Sequence, residues 1–102
     1  MIQDVALPPV GDIASECRWL EQALLGWLDK EFLAEPIHAK VAARTTQVYA
    51  RQRLEGENLV VAIHIALLAE LRHFDFGCTA LSEFVIANAV ADLLLARFCE
   101  AP

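Results

Sequence analysis

The chain has 102 residues and a mass of 11.3 kDa, which fits a single domain. Its net charge of −6 and pI of about 4.9 argue against a general nucleic-acid-binding or anionic-membrane surface. Apolar residues make up 57% of the chain, above the roughly 45–50% of ordinary soluble domains, so another chain is expected to cover part of the apolar surface.

The first ten residues are expected to form an extended N-terminal arm. Pro8 and Pro9 are adjacent, and two prolines in sequence prevent a helix from continuing. The arm also carries apolar side chains that could dock on the body of the protein or on a partner. Residues 11–102 are predicted to be one helical domain.

A first helix is predicted from Ile13 to Leu33, because apolar residues recur there at helical spacing. Asp12 is in position to cap its N-terminus. Trp19 lies off the main apolar stripe, next to Arg18. It is either an interface anchor, since Trp and Arg are enriched at binding hot spots, or it is covered by the proline arm.

A second helix is predicted from Pro36 to Leu54, with proline at its first position and Gly56 just beyond its end. Its polar side carries a basic stripe: Lys40, Arg44 and Arg51, with Arg53 nearby. The stripe is interpreted as a solvated face paired with acidic side chains of the first helix. The alternatives are a docking site for an acidic protein or a phosphate backbone, although a chain with net charge −6 makes nucleic acid the less favoured partner.

A third helix is predicted from Leu59 to His73, with Asn58 as its N-cap. It is apolar nearly all round, which is typical of a helix surrounded by protein. The exception is His64. It is interpreted as a core or interface histidine bonded to a neighbouring helix, the alternative being a ligand or proton carrier near pH 7.

A fourth helix is predicted from Thr79 to Cys99, with Thr79 as its N-cap. It too is apolar on most sides. Asn88 and Asp92 are four residues apart and therefore form a narrow polar strip on one face. The strip is either solvated or a specificity pair at an interface or small-ligand notch, because a buried carboxylate needs a partner.

The connector from His73 to Cys78 collects three possible metal ligands, but zinc sites usually need four ligands at recognisable spacing. It is therefore interpreted as a helix–helix corner in which Asp75 caps a turn, and no metal or cofactor is predicted. The sequence also contains no Gly-rich phosphate loop, nucleophile elbow or His-Glu-x-x-His motif. Catalysis is not expected.

The three cysteines and the first residues bear on the compartment. Cys17, Cys78 and Cys99 are an odd number, and the start of the chain does not resemble a signal peptide, so reduced thiols in a cytoplasm are expected. The longest uncharged apolar stretch, 59–69, is too short to span a membrane. Six arginines against two lysines are typical of a GC-rich bacterial genome.

The sequence therefore predicts an all-α fold, a compact bundle of about four antiparallel helices with an extended N-terminal arm. A bundle buries one stripe of each helix, so the third and fourth helices are either both central or one exposes an apolar face. The favoured function is a non-enzymatic protein–protein interaction or assembly module, a homodimer or the partner of another protein. The alternatives are a nucleic-acid-binding regulator using the second helix, and a ligand-binding domain or enzyme around His64, Asn88 and Asp92.

Overall fold

A computed structural model describes residues 5–99, and its four helices confirm the predicted all-α fold. The described residues contain no β-strand, only one isolated bridge between Ala6 and Leu59. The helices are α1 Ile13–Glu31, α2 Ile37–Leu54, α3 Val60–Leu71 and α4 Glu83–Phe98.

The start of α4 differs from the prediction. The helix begins at Glu83, four residues later than expected, because the Ser82 hydroxyl accepts the backbone N–H of Val85 at 3.3 Å and forms the cap. The Thr79 hydroxyl instead donates to the Phe76 carbonyl at 2.8 Å within the preceding turn. Every other helix end lies within two residues of its predicted position.

The start of α3 also uses a different cap from the one expected. Asn58 makes no capping bond, because its side-chain oxygen accepts a hydrogen bond from Arg53. The first backbone N–H of the helix, on Val60, donates to the Val5 carbonyl at 2.8 Å. The chain before α1 thus satisfies a donor that a helix N-terminus leaves open.

The described part of the N-terminal segment, residues 5–10, lies against the body of the protein. Leu7 is buried, and its backbone N–H donates to the Asn58 carbonyl at 2.8 Å. Leu7 therefore belongs to the hydrophobic core. Residues 1–4, the remainder of the predicted arm, lie outside the described residues.

The core draws one stripe from each of α1 and α3 and a broader face from α2 and α4. In α1 the buried leucines are four residues apart: Leu20, Leu24 and Leu28. In α3 the buried positions are Val60, Ile63, Leu67 and Leu71. The other apolar residues of α3 are half-buried or exposed, so α3 is not surrounded by its own chain. Of the two arrangements that the sequence allows, the structure shows the one with an open apolar face.

Candidate interaction surface

The largest apolar side chains that α3 and α4 leave open to solvent are Ile65 and Phe84, each 60% exposed. They lie on neighbouring helices, since both line one groove. Side chains three or four residues apart share a helix face. The α3/α4 face is accordingly defined by residues that are half-buried or exposed: Val61, His64, Ile65 and Leu68 of α3, Arg72 directly after it, and Glu83, Phe84, Asn88 and Asp92 of α4.

A hydrogen bond joins the two helices in the middle of this face. The His64 ring nitrogen Nε2 and the Asn88 side-chain oxygen Oδ1 are 2.8 Å apart, which agrees with the interpretation of His64 as a histidine bonded to a neighbouring helix. Asp92 lies one turn beyond Asn88, is exposed, and takes part in none of the ion pairs between described residues. Two of the three predicted polar residues are therefore brought together, and the third is solvated.

A shallow groove of about 350 Å³ runs between the C-terminal end of α3 and the N-terminal end of α4. Its floor and walls are mainly apolar, with one charged residue at the end of each helix. The lining residues are Ile65, Leu68 and Ala69 from α3, Arg72 directly after α3, and Glu83 and Phe84 from α4. Within residues 5–99, Arg72 and Glu83 do not form an ion pair with each other. Both charges therefore remain available at the edges of an apolar depression.

The basic stripe of α2 is partly neutralised within the chain. Arg44 and Arg51 both approach one carboxylate oxygen of Glu70, at 3.1 and 3.3 Å. The acidic partner is thus on α3, whereas the sequence interpretation placed it on the first helix. Lys40 is exposed and forms no ion pair with the rest of the described chain. Two of the three stripe residues are consequently engaged in holding α2 to α3.

Trp19 packs against the end of α4. Its ring meets the Phe98 ring edge to face at 6.2 Å, and the Arg97 guanidinium lies 4.5 Å from the Trp19 ring centre. This is the geometry of a cation–π contact. Trp19 is partly buried and joins α1 to α4, so its aromatic surface is largely used inside the chain.

A buried polar network, which the sequence patterns did not predict, joins α1, α2 and the N-terminal segment. The Arg53 guanidinium donates to Glu16 from Nε at 2.9 Å, and from Nη2 to the Pro8 carbonyl at 2.8 Å. It also donates to Asn58, and the Tyr49 hydroxyl donates to the same Glu16 oxygen. The ion pair is almost completely removed from solvent. Its members satisfy one another, which indicates a structural role.

Spacing is the signal that could have revealed this network. Glu16 lies four residues before Leu20 and therefore continues the buried α1 stripe, while Tyr49 and Arg53 are four apart on α2. A carboxylate in a core stripe needs a buried cationic partner. Arg53 was the neighbouring arginine that the sequence interpretation grouped loosely with the basic stripe.

Tyr49 is expected to remain un-ionised until the protein unfolds in alkali. Burial, followed by the hydrogen bond to Glu16, raises the pKa of Tyr49. The folded state therefore keeps a proton that the unfolded state releases above pH about 10. Tyr49 thus lowers the free energy of unfolding above that pH and contributes no pH dependence below it.

The chain has a single tyrosine, so phenolate absorbance reports this group alone. In an alkaline titration, phenolate should appear together with the loss of helical circular dichroism. Tyr49→Phe should remove this group's contribution to the alkaline loss of stability. Phenolate that forms while the helical signal is still intact would contradict the burial argument.

A second buried polar group links the end of α1 to the start of α2. His38 is fully buried, and its Nδ1 lies 2.6 Å from a carboxylate oxygen of the half-exposed Asp29. Phe32 meets the imidazole ring edge to face at 6.4 Å. The other ring nitrogen, Nε2, has no hydrogen-bond partner within the described chain. Enclosed in this way, the ring holds two helices together and is not open to a ligand.

The connector between α3 and α4 forms a packed corner. Asp75 accepts the backbone N–H of Gly77 at 2.9 Å, and the Phe74 and Phe76 ring centres are 4.9 Å apart.

Across residues 5–99, no three His, Cys, Asp or Glu side chains are grouped as a metal would require. None of the helices in that range combines the length and hydropathy needed to cross a bilayer.

Comparison with known proteins gives the chain a family. No curated protein and no solved structure matches it. A family model described as a domain of unknown function, DUF8822, matches residues 2–98. That match includes all four helices and the α3/α4 face, and the chain therefore belongs to the DUF8822 family.

Proposed function

We propose that the protein is a non-enzymatic interaction or assembly module that binds another protein chain through the α3/α4 face. The observation that carries this proposal is the exposure of Ile65 and Phe84, 60% each, on adjacent helices around an apolar groove. Contiguous exposed apolar surface rimmed by polar residues is typical of a protein-binding site. A partner on this face would cover two of the large exposed apolar side chains, Ile65 and Phe84.

The physical basis of binding would be apolar burial oriented by charge. Complete burial of one Ile or Phe side chain is worth roughly 1.5–3 kcal/mol, and association itself costs at least about 4 kcal/mol, so a partner must cover several such residues at once. The α3/α4 face offers Leu68 and Val61 beside the two large side chains. Arg72 and Glu83 at the groove edges would select the partner and its orientation.

The alternative functions have less support. A nucleic-acid-binding α2 would use Arg44 and Arg51, but both are engaged with Glu70. A ligand-binding site would use His64, Asn88 and Asp92, but the groove on this face is lined by other residues. The three free cysteines are in keeping with a reducing compartment, and we place the protein in the cytoplasm.

The test is photo-crosslinking in the natural host. A photoreactive amino acid at Ile65 should form a covalent adduct with another protein chain. The matched control is the same substitution at Leu33, which is more exposed, at 88%, but lies in the α1–α2 connection and is not among the residues that define the face. Adducts at position 65 and none at position 33 would support the proposal. A probe at position 65 that reacts no more than the one at 33 would overturn it.

A further inference from the structure

We infer that the partner of the α3/α4 face is a second copy of this chain, related by a two-fold axis that runs along the groove. This inference rests on the proposed function and names its partner. A two-fold interface must be self-complementary, because the same surface supplies both sides. The α3/α4 face meets this condition in both shape and charge.

Complementary shape depends on which residues of α3 and α4 lie side by side, at the same height along the two helices. His64 on α3 and Asn88 on α4 are hydrogen-bonded and therefore level. The C-terminal end of α3 lies beside the N-terminal end of α4, so the next turn brings Leu68 level with Phe84. A 180° rotation about an axis midway between the two helices and parallel to them places the partner's α3 over α4 and the partner's α4 over α3. It does not shift any residue along the helix direction. It therefore places Phe84 of each copy over Leu68 of the other, against the groove.

The same axis also brings opposite charges together. Arg72 and Glu83 stand on opposite helices at the same end of the face, and they form no ion pair with each other in the described chain. The rotation that exchanges α3 and α4 brings Arg72 to the partner's Glu83, and Glu83 to the partner's Arg72. One axis thus fills the groove with an aromatic ring and forms two ion pairs at its rim.

A two-fold axis across the helices at the level of the His64–Asn88 bond gives a poorer match. Phe84 and Asp92 lie four residues on either side of Asn88. A two-fold axis through the level of Asn88 and perpendicular to the helices would therefore set Phe84 against the partner's Asp92. That arrangement covers an exposed carboxylate with an aromatic ring and supplies no cation, which is unfavourable. The axis along the groove keeps Asp92 away from Phe84 and sets it level with the partner's Val61, at the end of the face opposite Arg72 and Glu83.

The experiment measures self-association of charge-reversed chains by sedimentation. Arg72→Glu and Glu83→Arg should each weaken the homodimer about tenfold or more, because either change places two pairs of like charges at the rim. Mixing the two variants should restore association, since a mixed dimer regains both opposite-charge pairs. The doubly reversed chain should dimerise like the wild type. Controls with the same charge changes elsewhere are Lys40→Glu and Glu21→Arg, both at exposed positions.

Each outcome separates this inference from the proposed function. A wild-type dimer whose variants do not recover on mixing would overturn the axis. A wild-type monomer at every concentration would overturn the second copy as the partner, while crosslinks from position 65 to a different protein would leave the interaction module standing. Circular dichroism of each variant at low concentration checks that the monomer is folded, so that loss of association is not mistaken for unfolding.

Discussion

Arg53→Met is expected to lower the free energy of unfolding by about 3–5 kcal/mol, a large part of the roughly 5–15 kcal/mol that stabilises a small domain. The substitution removes the cation that pairs with the nearly buried Glu16 carboxylate. It also removes the hydrogen bonds that hold Asn58 and the Pro8 carbonyl, so the chain before α1 should loosen. Urea denaturation followed by circular dichroism measures the loss.

The control is Arg51→Met, two residues away on the same helix, whose side chain is 49% exposed. Exposed ion pairs contribute about 0–1 kcal/mol, so this variant should unfold close to the wild type. A triple variant with Glu16→Leu, Tyr49→Phe and Arg53→Leu should recover part of the stability, because it removes the unpaired Glu16 carboxylate and the Tyr49 hydroxyl. The Asn58 side chain and the Pro8 carbonyl still lack the Arg53 donor, so the recovery should be incomplete. Equal denaturation midpoints for Arg53→Met and Arg51→Met would contradict the network's role.

Phe84→Asp is expected to dissociate the homodimer without unfolding the chain. The side chain is 60% exposed in the single chain, so its replacement costs little in the core. In the dimer it would be buried once on each side, and losing two buried aromatic side chains weakens binding by roughly a hundredfold or more. Light scattering on a size-exclusion column should show a monomer where the wild type shows a dimer.

Leu54→Asp is the matched control, because Leu54 is a 65% exposed apolar residue at the end of α2, off the α3/α4 face. It makes the same kind of change and should leave the dimer intact. If both variants dissociate the dimer equally, general surface hydrophobicity and not this face drives association.

Local sequence patterns were sufficient to predict the fold class and the helices. The Leu20–Leu24–Leu28 spacing and the Asp12 cap are short-range features, and both appear in the structure as expected. The start of α4 was missed because Thr79 and Ser82 are equally good caps in sequence, and the Phe76 carbonyl captures the Thr79 hydroxyl. Neighbouring residues alone do not reveal that competition.

The site was predictable in part. The polar strip of Asn88 was found by its spacing, and its grouping with His64, 24 residues earlier, was one of the predicted alternatives; the helix pairing brings the two within 2.8 Å. The Glu16–Arg53 pair spans 37 residues and was missed, because no local pattern joins the two residues. The sequence indicated that α3 and α4 carry surplus apolar surface. Which side of α3 remains open depends on where α2 packs. The ion pair between Glu70 of α3 and Arg44 of α2 marks the side that α2 covers.

The most direct test of the interaction surface is the mass of the wild-type protein in solution, measured by light scattering from dilute to concentrated samples. We expect twice the 11.3 kDa chain mass, with dissociation to the monomer only on strong dilution. A mass of one chain at all concentrations, with Ile65 and Phe84 still exposed, would contradict self-association through the α3/α4 face.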